Sequence, residues 1–106
     1  MGGMTDPVLF EVVEPHIALV TLNRPEARNA VNGALAGALE AAVARIEADP
    51  EIRVAVLTGT GPVFCAGADL KEVSAGRGAT LATERGGFAG FVRARRTRLW
   101  IAAAQG

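Results

Sequence analysis

Val54-Ala55-Val56-Leu57-Thr58-Gly59-Thr60-Gly61-Pro62-Val63-Phe64-Cys65-Ala66-Gly67-Ala68-Asp69-Leu70 is the most informative segment of the chain. It opens on an unbroken apolar run of the type found in strands covered on both faces, and Gly59-Thr60-Gly61-Pro62 then ends that strand in a tight loop. After a short run at Val63-Phe64-Cys65 the character changes at Ala66-Gly67-Ala68-Asp69. A sharp backbone turn is expected at Gly67, with Asp69 placed to cap a short helix. A glycine-permitted turn entering a helix points backbone N–H groups outward, and the helix dipole adds positive potential there. Such an arrangement favours an oxyanion.

On the N-terminal side, residues 1–7 read as a disordered tail. Val8-Leu9-Phe10-Glu11-Val12-Val13 and His16-Ile17-Ala18-Leu19-Val20-Thr21-Leu22 are β-rich runs interrupted by Glu14-Pro15, which predicts an antiparallel hairpin. From Val31 the pattern changes: Leu35, Leu39, Val43 and Ile46 recur at intervals of four, four and three, which places them on one face of a helix ending at Asp49-Pro50. Alanine favours helicity and close approach of neighbours, and either Asn29 or Asn32 is placed to cap the start.

On the C-terminal side, residues 74–90 carry Gly76, Gly78, Gly86, Gly87 and Gly90 among small and polar residues. A mobile stretch is expected there, leading into a helix with Phe88, Phe91 and Val92 on its apolar face. Leu99-Trp100-Ile101-Ala102-Ala103-Ala104 reads as another buried strand. The resulting order, β-β-α-β-α-α-β, fits a layered α/β domain.

Bulk properties narrow the function classes. With 106 residues the chain is one domain or less, and 11 basic residues balance 11 acidic ones, which disfavours a polyanion binder. The single Cys65 excludes an internal disulfide and suits a reducing cytoplasm. No apolar run nears the roughly 20 residues of a membrane-spanning helix, and the N-terminus does not read as a signal peptide. A cytoplasmic protein with no membrane or nucleic-acid partner is expected.

Competing chemistries find weak support. The glycines of residues 59–67 lack the spacing and the Lys-Ser/Thr of a phosphate-binding loop. Cys65 has no histidine placed to activate it and reads as a buried structural thiol, while His16, the lone histidine, suits a turn and makes no metal site. Asp69 and Glu72 are nearest the proposed turn, yet a cap and a solvated face describe them better than proton transfer. Arg93, Arg95, Arg96 and Arg98 lack the interleaved aromatics of a nucleic-acid surface and read as a solvated helix, with a contact to the phosphates of an anionic ligand as the minority option.

Leu22-Asn23-Arg24-Pro25-Glu26-Ala27-Arg28-Asn29-Ala30, the Phe64-Cys65-Ala66-Gly67-Ala68-Asp69 turn and the strand from Arg98 to Gly106 together resemble, in order and separation, the N-terminal signatures of the enoyl-CoA hydratase/isomerase (crotonase) superfamily. Leu99 stands where many members have proline. The resemblance covers residues 8–106 and implies an α/β fold, the N-terminal part of a crotonase-like spiral of β-β-α units. It implies an enzyme, a lyase that adds water to a 2-enoyl-CoA thioester through an oxyanion-stabilised enolate. An enoyl-CoA isomerase and a non-catalytic acyl-CoA- or partner-binding chain are the alternatives. It makes the Ala68 N–H one of two oxyanion donors and sets coenzyme A against Glu26, Ala27, Arg28, Ala30, Ala66, Gly67, Ala68, Asp69 and Leu70. Arg28 would meet a phosphate. Coenzyme A enters as substrate thioester, without a prosthetic group or metal, and a homo-oligomer, trimer or hexamer, is implied. The second donor and the general acid and base would lie beyond Gly106, so that residues 1–106 alone are expected to be inactive.

Overall fold

The protein is described here by a computed structural model for residues 6–65, 67–83, 87–89 and 98–103. Strand β1 (Val8–Glu14) and strand β2 (Ile17–Leu22) form the expected antiparallel hairpin, Val8 pairing with Leu22 and Val12 with Ala18. A register shift between Val12 and Glu14 marks a bulge next to the turn. His16 sits in that turn with φ 73, and its Nδ1 donates to the Glu51 carbonyl at 2.6 Å, as suits a turn histidine.

Helix α1 (Gly33–Ala48) crosses from β2 to strand β3 (Val54–Gly59), which pairs parallel with β2 from Ile17–Val54 to Leu22–Gly59. A parallel pair needs such a crossover because its ends lie at opposite edges of the sheet. Asn32, in extended conformation, caps α1 by accepting from the Leu35 N–H. The four apolar positions read from the spacing, Leu35, Leu39, Val43 and Ile46, are all buried, with Ala36 and Ala42 beside them. Each large one contributes about 1.5–3 kcal/mol of apolar burial.

Strand β6 (Leu99–Ala102) adds to the other edge of β3 in parallel, giving the sheet order β1-β2-β3-β6. Alternation along the strands turns Ala18, Val20, Leu22, Ala55 and Trp100 to the α1 side, where they join the core cluster. The opposite side departs from the expectation of a strand covered on both faces. There Val54 and Val56 are half-buried, and on β6 Leu99 and Ile101 are 62% and 48% exposed. A layer of side chains on only one side explains the difference: among the described residues α1 covers one face.

The segment after β3 corrects a further expectation. The run at residues 63–65 bends between β3 and the Gly67 turn. The glycine-rich segment holds a 3-10 turn (Gly78–Leu81) and a two-stranded pair, β4 (Ala82–Thr83) with β5 (Gly87–Phe88), so Phe88 is on a strand rather than a helix. Leu81 and Ala89 enter the core at 3% and 8% exposure, and the turn packs against α1. Leu81 anchors the turn through apolar contact with the buried cluster around α1. The rest of the expected helix, with Phe91, Val92, Arg93, Arg95 and Arg96, lies outside the described residues.

Arg98 is not a solvated helix residue. Its Nε donates to the Ile52 carbonyl at 2.8 Å, and its backbone N–H reaches the Glu47 carboxylate at 3.4 Å, tying the entry of β6 to the end of α1. Its Nη2 also reaches the Glu47 and Asp49 carbonyls at 3.4 and 3.5 Å, at a helix end whose carbonyls lack intrahelical donors.

Candidate functional site

Two loops leave the carboxyl ends of the parallel strands β2 and β3, the edge at which open α/β sheets place ligands. The first begins at Asn23, whose backbone and side-chain N–H groups donate to the Pro7 and Asp6 carbonyls at 2.7 and 3.0 Å. Pro25 then occupies the first position of a 3-10 turn (Pro25–Ala27), where its fixed φ suits the turn and its missing N–H costs nothing. Arg28 and Asn29 follow in left-handed conformation, φ 55 and 57, a region that asparagine tolerates better than most residues.

Asn29 is fully buried and serves the loops rather than α1. Its Oδ1 accepts from the Arg24 N–H at 2.7 Å, and its Nδ2 donates to the Thr60 and Val63 carbonyls at 2.9 and 2.8 Å. One amide group thus closes the first loop on itself and ties it to the second. Gly59 lies against it: a Cβ there would stand 2.8 Å from Asn29 Nδ2 and 2.6 Å from the Phe64 carbonyl oxygen, so the close approach excludes any side chain.

The second loop turns at Gly67, with φ +90, as its glycine predicts. Gly67 accepts from the Val31 N–H at 2.7 Å, and Asp69 donates its N–H to the Val31 carbonyl at 2.9 Å, which makes an isolated parallel bridge between Val31 and Ala68. Both bonds of that bridge flank Ala68, so its own N–H is directed away from Val31, and no described residue accepts from it. Helix α2 (Leu70–Ser74) begins directly afterwards.

A cavity of about 690 Å³ lies between the loops. Glu26, Ala27, Arg28 and Ala30 face it from the first loop, and Ala68, Asp69 and Leu70 from the second. The structure therefore brings together seven of the positions singled out from sequence. Gly67 supplies the turn without lining the cavity, and Ala66 lies outside the described residues. Leu70 is 76% exposed and Arg28 is exposed at the rim. A smaller cavity of about 380 Å³ adjoins, between Pro25, Arg28, Thr60, Pro62 and Val63.

Arg24 completes the lining. Its Nη1 donates to the Ala30 carbonyl and its Nη2 to Asp69 Oδ2 at 3.2 Å, in an ion pair whose side chains are 16% and 12% exposed. The Asp69 carboxylate thus meets an arginine 45 positions away in sequence. An arginine at the end of an apolar strand, just before proline, is the only local signal, and it names no partner. Cys65 is half-buried against the core rather than fully enclosed.

The profile of the enoyl-CoA hydratase/isomerase family matches residues 13–105. The chain belongs to that family. Over 73 residues it is 49% identical to a probable enoyl-CoA hydratase of Mycobacterium tuberculosis, a match covering 69% of this chain and 28% of that protein. Over 103 residues it is 45% identical to a mevalonyl-coenzyme A hydratase of Beauveria bassiana, covering 88% and 37%. The crystal structure of a probable enoyl-CoA hydratase/isomerase from Mycobacterium abscessus superposes with a TM-score of 0.87 at 40% identity, covering 97% of this chain and 39% of that one. This family member therefore has the α/β crotonase fold implied by its signatures, and spans about a third of the length of the curated relatives it matches. No helix among its described residues is long and apolar enough to cross a membrane.

Proposed function

We propose that the full-length protein is an enoyl-CoA hydratase-type lyase, adding water to a 2-enoyl-CoA thioester across the cavity between the two loops. The observation that carries this reading is the Ala68 N–H, turned away from its bridge partner at the cavity wall. A thioester carbonyl seated against it gains a hydrogen bond that strengthens as negative charge develops on oxygen during enolate formation, and one such donor accounts for roughly 10²–10³-fold in rate. Coenzyme A is the substrate's handle in this scheme. Its adenine and pantetheine lie against the first loop at Glu26, Ala27, Arg28 and Ala30 and against the second at Gly67, Asp69 and Leu70. Arg28, exposed at the rim, offers several donors to an anionic oxygen. The relatives named hydratases are in keeping with water addition. A cytoplasmic homo-oligomer, trimer or hexamer, belongs to the same proposal.

The test is crotonyl-CoA hydration by the full-length protein carrying Ala68→Pro or Ala68→Gly. Proline removes the N–H and is expected to lower kcat by about 10²-fold or more, whereas glycine keeps the donor and most of the turnover. Equal loss in both, with folding intact, speaks against the assignment.

A further inference from the structure

We infer that Arg24 and Asp69 are positioning residues that set the direction of the Ala68 N–H, an inference that rests on the oxyanion role proposed above. The geometry is that of a fork laid across a bridge. Ala30 precedes Val31 on one side of the Val31–Ala68 bridge, and Asp69 follows Ala68 on the other. Arg24 holds both flanks at once, with Nη1 on the Ala30 carbonyl and Nη2 on the Asp69 carboxylate. The bridge itself is made by the Val31 N–H to the Gly67 carbonyl and the Asp69 N–H to the Val31 carbonyl, so Arg24 bonds the residue next to Val31 and one of the bridge's own donors.

A single isolated bridge is weak support for an N–H that must be aimed to within a fraction of an ångström, because it lacks the neighbouring ladder that orients residues inside a sheet. The Arg24 fork supplies what the ladder would. A guanidinium is planar and presents its donors at fixed angles, so holding Ala30 with one nitrogen fixes where the other meets Asp69. The low exposure of both side chains, 16% and 12%, reduces the screening by water that makes surface ion pairs weak. The base of the fork is itself held, since the Arg24 backbone N–H is bonded to buried Asn29. Lysine keeps the charge at position 24 but offers one compact ammonium without the planar fork. At position 69, asparagine keeps the shape and loses the charge.

The test uses the natural full-length protein with Arg24→Lys and Asp69→Asn, each alone and together. The ligand is butyryl-CoA labelled with carbon-13 at the thioester carbonyl, which lacks the double bond and so is not hydrated. Isotope-edited infrared spectroscopy reads the carbonyl stretch of the bound ligand, and crotonyl-CoA hydration gives kcat and KM. In the native protein the stretch is expected to fall on binding. In each variant most of that fall should be lost and kcat reduced by about 10-fold or more, with KM changed by less than about threefold. The double variant should be little worse than either single one, because both break the same contact. If Arg24→Lys does not fold, Asp69→Asn carries the test by the same readouts. A carbonyl shift and kcat that stay native in a variant, with only thermal stability lowered, would overturn the positioning role and leave the oxyanion reading standing. An unshifted carbonyl in the native protein would overturn the oxyanion reading itself, and the positioning role with it.

Discussion

The core between α1 and the sheet and the pair of loops beyond β2 and β3 are neighbours built on opposite principles. In the core, Leu35, Leu39 and Ile46 meet Ala18, Val20, Leu22 and Ala55 through apolar contact, a non-directional interaction spread over many atoms. In the loops, Arg24, Asn29 and Asp69 make a handful of directed hydrogen bonds, among them the three to the Asn29 amide. Loss of one apolar contact leaves the others in place. Loss of one amide leaves several buried polar groups without partners at once. The core therefore sets global stability, while the loops set the local geometry that the proposed chemistry needs.

Leu35→Ala should have the largest effect on stability, about 3 kcal/mol, since Leu35 is fully buried and α1 cannot collapse onto the cavity without moving against the sheet. Urea unfolding measures it. The Val31 and Asp69 amides, which belong to the loop bridge, are expected to keep their protection relative to that of β3 in this variant.

Asn29→Ala comes next, with about 2 kcal/mol expected from the unsatisfied Thr60 and Val63 carbonyls and the Arg24 N–H. Here the local effect should exceed the global one, and exchange at Val31 and Asp69 should accelerate more than exchange in β3. Asn29→Gly separates two causes, because glycine adopts φ 57 freely but makes none of the bonds. A glycine variant as stable as the native protein would show that backbone conformation, rather than the amide network, is what position 29 requires.

The smallest effect belongs to the boundary between the regions. Asn32→Ala should cost about 1 kcal/mol by removing the cap on the Leu35 N–H, and Asn32→Ser should restore most of it. A loss at Asn32 equal to that at Asn29 in the same unfolding assay would erase the distinction between a residue serving the helix and one serving the loops.

The sequence by itself determined the elements whose cause is local. Period-two and apolar runs placed β1, β2, β3 and β6 within a residue or two, and the spacing of Leu35, Leu39, Val43 and Ile46 placed α1 and its buried face. The turn at Gly67 was equally legible, because a positive φ is a property of one residue. Only the tertiary structure decided between the two asparagines. Asn29 and Asn32 are alike as possible caps in a string of letters, but Thr60 and Val63 come within reach of Asn29 alone once β2 and β3 lie side by side. The same holds for Arg24, whose partner Asp69 is far along the chain, and for Leu81, buried because α1 passes beneath it. Periodicity and backbone preference act over a few residues and are written in order along the chain. Polar pairing and burial act through space, and their partners exist only after the sheet has brought distant segments together.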